Sequence, residues 1–260
     1  MQSSLIAKHY SADVEYFTKF IDSPMMLYSC NVWDEDGTVE QSEINKAERF
    51  AKMLELKESD KVYEFGCGFG GEAGYLHDKY KADITGFNIS PHWIQYAKDN
   101  YSAKYEVKDL YDVEGRVDKI YTDGVLVHHD HRKVFEKCSQ LLDTGGIMVH
   151  KELYREGNWS TEQCQKLNGT FDNTGSYNKL EDDIRVLEAL GFENEVIEEN
   201  ITSYVSTSGE WVKKMVQHKD ELIAMVGEKK YYADLFMMLD FHPVFSDRLL
   251  TCYFIKSKKL

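Results

Sequence analysis

The segment of this sequence whose residue types and spacing most clearly indicate ligand binding is a glycine-rich turn. The turn, Glu64–Gly71 (EFGCGFGG), follows the short apolar run Lys61–Phe65. Glycine at such a junction lets the backbone turn tightly and approach a ligand closely. The spacing Gly66-x-Gly68-x-x-Gly71 fits the fingerprint of a dinucleotide site, but that fingerprint is a weak signal on its own.

Two neighbouring positions separate the ligands that this turn could hold. A nicotinamide or flavin site expects a carboxylate about 20 residues further on, at the end of the second strand. The chain has Asn88 at that place, whereas Glu64 lies two residues before Gly66. A carboxylate there would repel a pyrophosphate and suit a cation. S-adenosylmethionine has an ammonium, a sulfonium and no phosphate, so we expect it here; a dinucleotide site and a ligand-free turn are the alternatives.

The run His128-His129-Asp130-His131 is a second group with chemical potential. Imidazole and carboxylate are metal ligands, but adjacent side chains point apart, so we expect no metal site. His128 or His129 could instead serve as a base beside a substrate, because imidazole titrates near neutral pH.

The elements that must position these residues alternate along the chain. Strands are predicted at 61–65, 82–87, 104–107, 118–121, 147–150, 195–201 and 248–256, and helices at 3–22, 40–56, 72–80, 91–101, 131–142, 180–190, 209–226 and 229–239. This alternation predicts a parallel α/β sheet. The polar stretch 154–176 is predicted to be an insertion.

Composition limits the classes of function. Hydrophobic residues make up 42% of the 260 residues and aromatic residues 13%, which is enough for a globular core. A net charge of −14 without a large basic cluster argues against a nucleic-acid partner. The chain has no apolar run of membrane-spanning length and no apolar signal-peptide segment at its start. Its five cysteines include no CxxC pair. We therefore expect a cytoplasmic protein with reduced thiols, no membrane span and a small-molecule partner.

Several short motifs, taken in order, resemble the cyclopropane-fatty-acid and mycolic-acid cyclopropane synthase family of class I S-adenosylmethionine-dependent methyltransferases. The motifs are His9-Tyr10, Phe17-x-x-Phe20-Ile21-Asp22, Tyr28-Ser29-Cys30, Glu64-x-Gly66-Cys67-Gly68-x-Gly70 and Gly86-x-Asn88-Ile89-Ser90. The Tyr-Ser-Cys element is the most specific of them, since many methyltransferases share the glycine turn. Trp93 stands where the family commonly has Gln.

The resemblance implies a Rossmann-like class I methyltransferase fold. Its seven-stranded, mostly parallel sheet has an antiparallel last strand, and an N-terminal helical cap and helical insertions surround it. The expected single domain, 1–260, comprises a cap (1–57), a cofactor-binding core (58–151), the remaining core with substrate-side insertions (152–245) and a terminal strand (246–260). The implied cofactor-binding residues are Tyr28, Ser29, Glu64, Gly66, Cys67, Gly68, Asn88, Ile89, Asp109, Leu110 and Asp123.

The resemblance also implies a reaction centre. Family cyclopropane synthases transfer a methyl group to an alkene and then remove a proton with a bound bicarbonate. Four positions match the residues that hold this anion, namely Cys30, His128, His150 and Tyr204. The family's Glu is replaced by Val127, which argues against complete cyclopropanation.

The expected function is methyl transfer from S-adenosylmethionine to a small, apolar or unsaturated metabolite, most readily at carbon. An O- or N-methyltransferase, a cyclopropane-synthase-like enzyme, a nicotinamide oxidoreductase and a non-catalytic adenosylmethionine-binding protein are the alternatives. Core packing is the alternative role for Cys30, His150 and Tyr204. It is also the expected role of the aromatic and Met residues of 231–241, which could otherwise line a substrate pocket.

Overall fold

The computed structural model describes residues 14–157, 159 and 177–260. Its helices are α1 (Val14–Thr18), α2 (Val39–Leu54), α3 (Gly71–Tyr80), α4 (Pro91–Asn100), α5 (His131–Leu141), α6 (Leu180–Ala189), α7 (Ile201–Gln217), α8 (Lys219–Val226) and α9 (Glu228–Ser246). Its strands are β1 (Lys61–Phe65), β2 (Asp83–Asn88), β3 (Lys104–Val107), β4 (Val117–Asp123), β5 (Leu142–Arg155), β6 (Phe192–Glu198) and β7 (Leu250–Lys259). Most of the predicted insertion at 154–176, and the first part of the predicted helix at 3–22, lie outside the described residues.

The strands form one seven-stranded sheet in the order β3-β2-β1-β4-β5-β7-β6. The pairs among β1 to β5 are parallel, and β7 runs antiparallel to both of its neighbours, β5 and β6. This confirms the predicted α/β class I methyltransferase sheet with its antiparallel last strand. The strand order reverses between β1 and β4, and ligands of open α/β sheets bind beyond the carboxyl ends of the strands at such a point.

The sheet carries helices on both faces, because successive strand residues point to opposite sides. On one face, apolar residues such as Val62 and Val149 pack with residues of α2, α3 and α4. On the other, Tyr63 and Met148 pack with residues of α5 and α6. A third apolar cluster joins α1 to α7, α8 and α9. Parallel strands covered on both faces are expected to be buried along most of their length, as β1 and β4 are.

Several boundaries differ from the sequence prediction: the helix predicted at 209–226 is two helices, α7 and α8, and the one predicted at 229–239 continues to Ser246. Two further differences have identifiable reasons. The predicted strand at 195–201 ends at Glu198, because Asn200 caps α7 and its side chain accepts a hydrogen bond from the Thr202 amide at 3.1 Å. The predicted strand at 147–150 continues to Arg155. Polar Lys151 and Glu152 concealed that continuation, although both side chains are buried.

Candidate functional site

The glycine turn takes the backbone conformation that its sequence predicts. Gly66 has φ +72°, and a Cβ at this position would lie 2.3 Å from the Val125 Cγ2 atom. Gly68 has φ +54°, with open space where its Cβ would be. Both positions therefore favour glycine, the first through backbone conformation and packing and the second through conformation and access from the cavity.

The turn forms the floor of a cavity of about 130 Å³ at the carboxyl ends of β1, β2 and β4, here called the first cavity. The structure brings all the predicted cofactor-binding residues to its wall: Tyr28, Ser29, Glu64, Gly66, Cys67, Gly68, Asn88, Ile89, Asp109, Leu110 and Asp123. Trp93 also lines it and stacks on Phe69, with ring centroids 4.2 Å apart. The predicted set is therefore contiguous in space.

Two buried carboxylates give the first cavity an acidic wall. Glu64 lies in β1, one residue before its end, and Glu72 lies in the first turn of α3. Within the described part of the chain, Glu64 Oε2 and Glu72 Oε1 are buried and have no partner in hydrogen-bond geometry. Burial, together with the neighbouring Glu72, raises the pKa of Glu64 well above its usual range. Burial also raises the pKa of Glu72, to about 7, although Lys46 opposes this. Such a wall fits a ligand with a cationic group.

Two side chains in the lining of the first cavity fix the backbone turns that follow β2 and β3. The Asn88 side chain accepts a hydrogen bond from the Ser90 amide at 2.9 Å, which fixes the turn after β2. Asp109 accepts one from the Tyr111 amide at 3.1 Å and begins the short 3₁₀ turn Leu110–Asp112. With two acidic side chains at the glycine turn and Asp109 in the same lining, the cavity suits a cationic ligand better than a pyrophosphate, which fits S-adenosylmethionine.

A buried ion network connects the first cavity to the helices and the sheet. Asp123 lies between Lys46 of α2 and Lys151 of β5, at 2.8 and 3.0 Å. Ser29 donates to Asp123 at 2.7 Å and accepts from Lys46 at 2.6 Å. Burial opposes ionisation of Asp123, but Lys151 and Lys46 outweigh it and lower its pKa to about 2. Breaking one pair of such a network typically costs about 3–5 kcal/mol, because a charge is left buried alone.

A second cavity of about 90 Å³ lies beside the first. The two share Tyr28, Ser29, Gly124 and His128 as a common wall. The remaining lining of the second cavity combines polar groups with apolar side chains: Cys30, Val127, Glu152, Leu153, Tyr204, Thr207, Ser208, Trp211, Met237 and Met238. The two cavities are therefore adjacent.

Three of the predicted catalytic residues line the second cavity, namely Cys30, His128 and Tyr204. Burial raises the pKa of the Cys30 thiol to about 12, and its sulfur lies 3.8 Å from the Thr207 hydroxyl. Burial likewise holds the pKa of Tyr204 well above its usual range. The Tyr204 ring packs on Phe245 at 4.1 Å between centroids. Cys30 and Tyr204 are thus neutral groups that can donate hydrogen bonds.

His150 lies elsewhere, which corrects the expectation that it joins Cys30 and Tyr204. Its ring packs against Phe135 of α5 at 5.3 Å, and its Nε2 is 3.0 Å from the Tyr154 hydroxyl. Burial lowers the pKa of His150 to about 3. Two features of β5 explain this: His150 points to the face covered by α5, opposite to Lys151 near Asp123, and it lies two residues before Glu152, which reaches the cavity from the same face.

The histidine run divides among separate environments. His129 lines the first cavity, and burial lowers its pKa. Asp130 caps α5, and His131 bonds to the buried Asp183 at 2.5 Å. Among the residues that the structure describes, no group of three His, Cys, Asp or Glu side chains could hold a metal ion.

The sequence prediction missed four buried polar residues of the site. Lys46 lies on the buried face of α2, Glu72 follows the glycine turn, and Lys151 and Glu152 extend β5. For Lys151 and Glu152, the only signal in the sequence was their position. Both directly follow a predicted buried strand, and residues at the carboxyl end of such a strand reach the edge of the sheet where ligands bind.

Comparisons with known proteins agree with this fold. A family model described as mycolic acid cyclopropane synthetase matches residues 1–252. The cyclopropane synthase MmaA2 from Mycobacterium tuberculosis is similar in structure, with a TM-score of 0.91, 18% identity and 98% of each chain covered. No helix of the described residues has the length and apolar character needed to cross a membrane.

Curated relatives are similar at lower coverage. A sphingolipid C9-methyltransferase of Candida albicans is 23% identical over 87% of this chain and 48% of its own length. The cyclopropane-fatty-acyl-phospholipid synthase of Escherichia coli is 27% identical over 46% of this chain and 32% of its own length. The chain thus spans half or less of these relatives. By the match over nearly its whole length, the chain belongs to the mycolic acid cyclopropane synthetase family.

Proposed function

We propose that this protein transfers a methyl group from S-adenosylmethionine to a carbon atom of a small apolar or unsaturated molecule. The observation that carries this proposal is the pair of cavities with a common wall at Tyr28, Ser29, Gly124 and His128. One cavity is acidic and fits a cationic nucleoside, and the other combines aromatic and Met side chains with a few polar groups. Such a lining is typical of a pocket for an apolar ligand.

The residues of the first cavity have distinct parts in this proposal. Glu64 and Glu72 would hold the ammonium of the methionine moiety, and Gly66 and Gly68 would let the backbone approach it. Asn88, Ile89, Asp109 and Leu110 would surround the ribose and adenine. Bound S-adenosylmethionine supplies an electrophilic methyl group, whose transfer needs alignment and exclusion of water more than acid-base help.

Carbon is favoured as the acceptor atom by the apolar lining of the second cavity. Trp211, Met237 and Met238 form an apolar part of this lining and suit an apolar acceptor. The relatives named above include a lipid C-methyltransferase, which supports an apolar acceptor. An O- or N-methyltransferase is the second candidate function. The observation that favours it is His128, whose imidazole lines both cavities and could accept a proton from an alcohol or amine.

Cyclopropane formation on phospholipids is expected to be absent or very poor. Val127 replaces the family's Glu, and His150 lies away from the second cavity, so the set that would hold a bicarbonate is incomplete. Unsaturated phospholipid vesicles incubated with the protein and S-adenosylmethionine should give no cyclopropane product by mass spectrometry. Efficient ring formation would contradict this expectation.

Calorimetry and a labelled-methyl assay test the proposed function. S-adenosylhomocysteine should bind and NAD should not. Label from S-adenosylmethionine should then enter one member of a panel of unsaturated fatty acids, sphingolipids and isoprenoid alcohols, as a carbon-bound methyl group. Micromolar NAD binding without S-adenosylhomocysteine binding would end the proposal. Label found only on oxygen or nitrogen would favour the second candidate, and binding without transfer to any acceptor class would favour a non-catalytic protein.

A further inference from the structure

Glu152 is a buried carboxylate in the second cavity to which the proposed function so far gives no role. It lies near the carboxyl end of β5, is 1% exposed and lines the cavity together with Tyr204 and Trp211. Its Oε1 accepts a hydrogen bond from the Leu153 amide at 2.9 Å, and its Oε2 accepts one from the Val127 amide at 3.2 Å. The backbone therefore holds both oxygens in place at the wall of the acceptor space.

Among the described residues, the carboxylate of Glu152 has no basic side chain paired with it. Within residues 14–157, 159 and 177–260, no Lys or Arg forms an ion pair with Glu152, and the nearby Lys151 is paired with Asp123. The two amide donors and the neighbouring His131 favour ionisation, while burial opposes it and raises the pKa of Glu152 overall. A carboxylate of raised pKa is a stronger base than an exposed one.

The rest of the cavity wall is suited to a cation. Tyr28 and Trp211 present aromatic rings, and Met237 and Met238 present polarisable thioethers, whereas the Tyr204 ring already has the Lys151 Nζ atom 5.5 Å from its centroid. A cation placed over an aromatic face is stabilised by the ring quadrupole, more strongly where water is excluded. A carboxylate and aromatic rings around one small space can together stabilise a cation that has no hydrogen-bond donor of its own.

We propose that Glu152 is the counter-ion for the positive charge that methyl transfer creates on the acceptor. Glu152 is also the base that removes this charge by taking a proton from the acceptor. This rests on the proposed carbon methylation. The π electron pair of an alkene forms the new bond to the methyl carbon, and the electron pair of the broken S–CH₃ bond stays on sulfur. The adjacent carbon becomes a cation. Glu152 takes a proton from a neighbouring C–H, whose electron pair forms a new double bond. The product is a methylated alkene, and no bicarbonate is required.

The location of Glu152 explains how the site tolerates Val127. A carboxylate from β5 reaches the cavity, and residue 127 contributes its backbone amide to holding it. The carboxylate in the second cavity thus comes from β5 and not from position 127, where the family has its Glu.

A binding experiment tests the charge complementarity without knowing the acceptor. Decyltrimethylammonium serves as the cation probe and 1-decanol as the neutral probe of equal chain length, both titrated at saturating S-adenosylhomocysteine. Glu152→Gln keeps the size of the side chain and removes its charge. We expect the variant to lose about tenfold or more in affinity for the ammonium probe, with little change for decanol. Glu152→Asp should retain most of the preference for the cation.

Glu72→Gln is the matched control, because it removes a buried carboxylate from the first cavity instead. It should weaken S-adenosylhomocysteine and leave the preference between the two decyl probes unchanged, measured without that ligand. Circular dichroism and an unchanged S-adenosylhomocysteine affinity would show that Glu152→Gln is folded.

Two outcomes would overturn the proposal. The first is an equal loss for both probes in a folded Glu152→Gln variant. The second is a loss confined to S-adenosylhomocysteine, which would assign Glu152 to the first cavity. Failure of the wild type to bind S-adenosylhomocysteine would refute the proposed function separately, while the probe preference alone would still report on Glu152.

Discussion

The first cavity takes much of its lining from short segments that follow β1, β2 and β4, whereas the second draws side chains from positions as distant as Cys30 and Met238. In the first, backbone conformation does much of the work, as the positive φ angles of Gly66 and Gly68 show. In the second cavity, three elements that are distant in sequence, β5, α7 and α9, contribute the side chains of much of the lining. Changes to the first cavity should therefore act on cofactor affinity, and changes to the second on turnover.

The largest effect is expected from Gly68→Val. A branched residue at φ +54° is strained, and its side chain would enter the space that the ligand needs. The affinity for S-adenosylhomocysteine, measured by calorimetry, should fall by about a hundredfold or more because the ligand loses its space, whereas the strain of roughly 1–3 kcal/mol should lower stability.

Gly145→Val is the control for this change, because Gly145 has φ +85° and open space but does not line either cavity. It should carry a similar strain and bind S-adenosylhomocysteine normally. Equal losses in both variants would mean that Gly68 matters for stability alone.

Tyr204→Phe should separate the two cavities next. If the hydroxyl contacts the reacting acceptor, turnover should fall by about a hundredfold, since losing one donor to a developing charge costs on the order of 3 kcal/mol. The affinity for S-adenosylhomocysteine should not change. Tyr154→Phe is the matched control, because that buried hydroxyl contacts His150 on the other face of the sheet. Unchanged turnover in Tyr204→Phe would reduce Tyr204 to a packing residue.

A pH titration of cofactor binding should give a smaller effect. The pKa of Glu72 is raised to about 7, so its proton is bound below that pH and must leave before the ammonium can pair with it. Affinity for S-adenosylhomocysteine should therefore rise roughly tenfold between pH 6 and 8, the linkage expected for one proton. Glu72→Gln should flatten this dependence, and a dependence that persists in the variant would assign the proton to another group, such as Glu64.

The smallest functional effect is expected from His150→Gln. His150 lies outside both cavities, so turnover should stay within about a factor of two, while loss of its contact with Tyr154 should cost about 1 kcal/mol of unfolding free energy in urea. A large fall in turnover with normal folding would restore His150 to the reaction centre and contradict the placement described here.

The sheet and the first cavity could be predicted because their signals are local. The alternation of strands and helices indicated the α/β sheet, and the glycine turn with Glu64 placed a cationic ligand at its edge. The resemblance supplied the remaining cofactor residues, which prove contiguous. A motif names positions in sequence, and here those positions are also neighbours in space.

The second cavity could not be predicted in the same way, because its residues become neighbours only through folding. His150 matched a family position, yet it packs against α5, while Glu152, on the same face of β5 and two residues nearer its carboxyl end, reaches the cavity. Nothing in the spacing of Lys46, Asp123 and Lys151 indicates that one carboxylate will lie between two lysines. Side-chain direction at the end of a strand was the missing information.

The hydrogen bond between the Val127 amide and Glu152 has a consequence for sequence divergence. Every residue except proline carries the same amide hydrogen, so the side chain at position 127 can drift without releasing the carboxylate. A saturation library at this position should accept varied residues that fit the buried space and reject proline. The protein can thereby reshape the floor of its acceptor space while the charge beside it stays where it is.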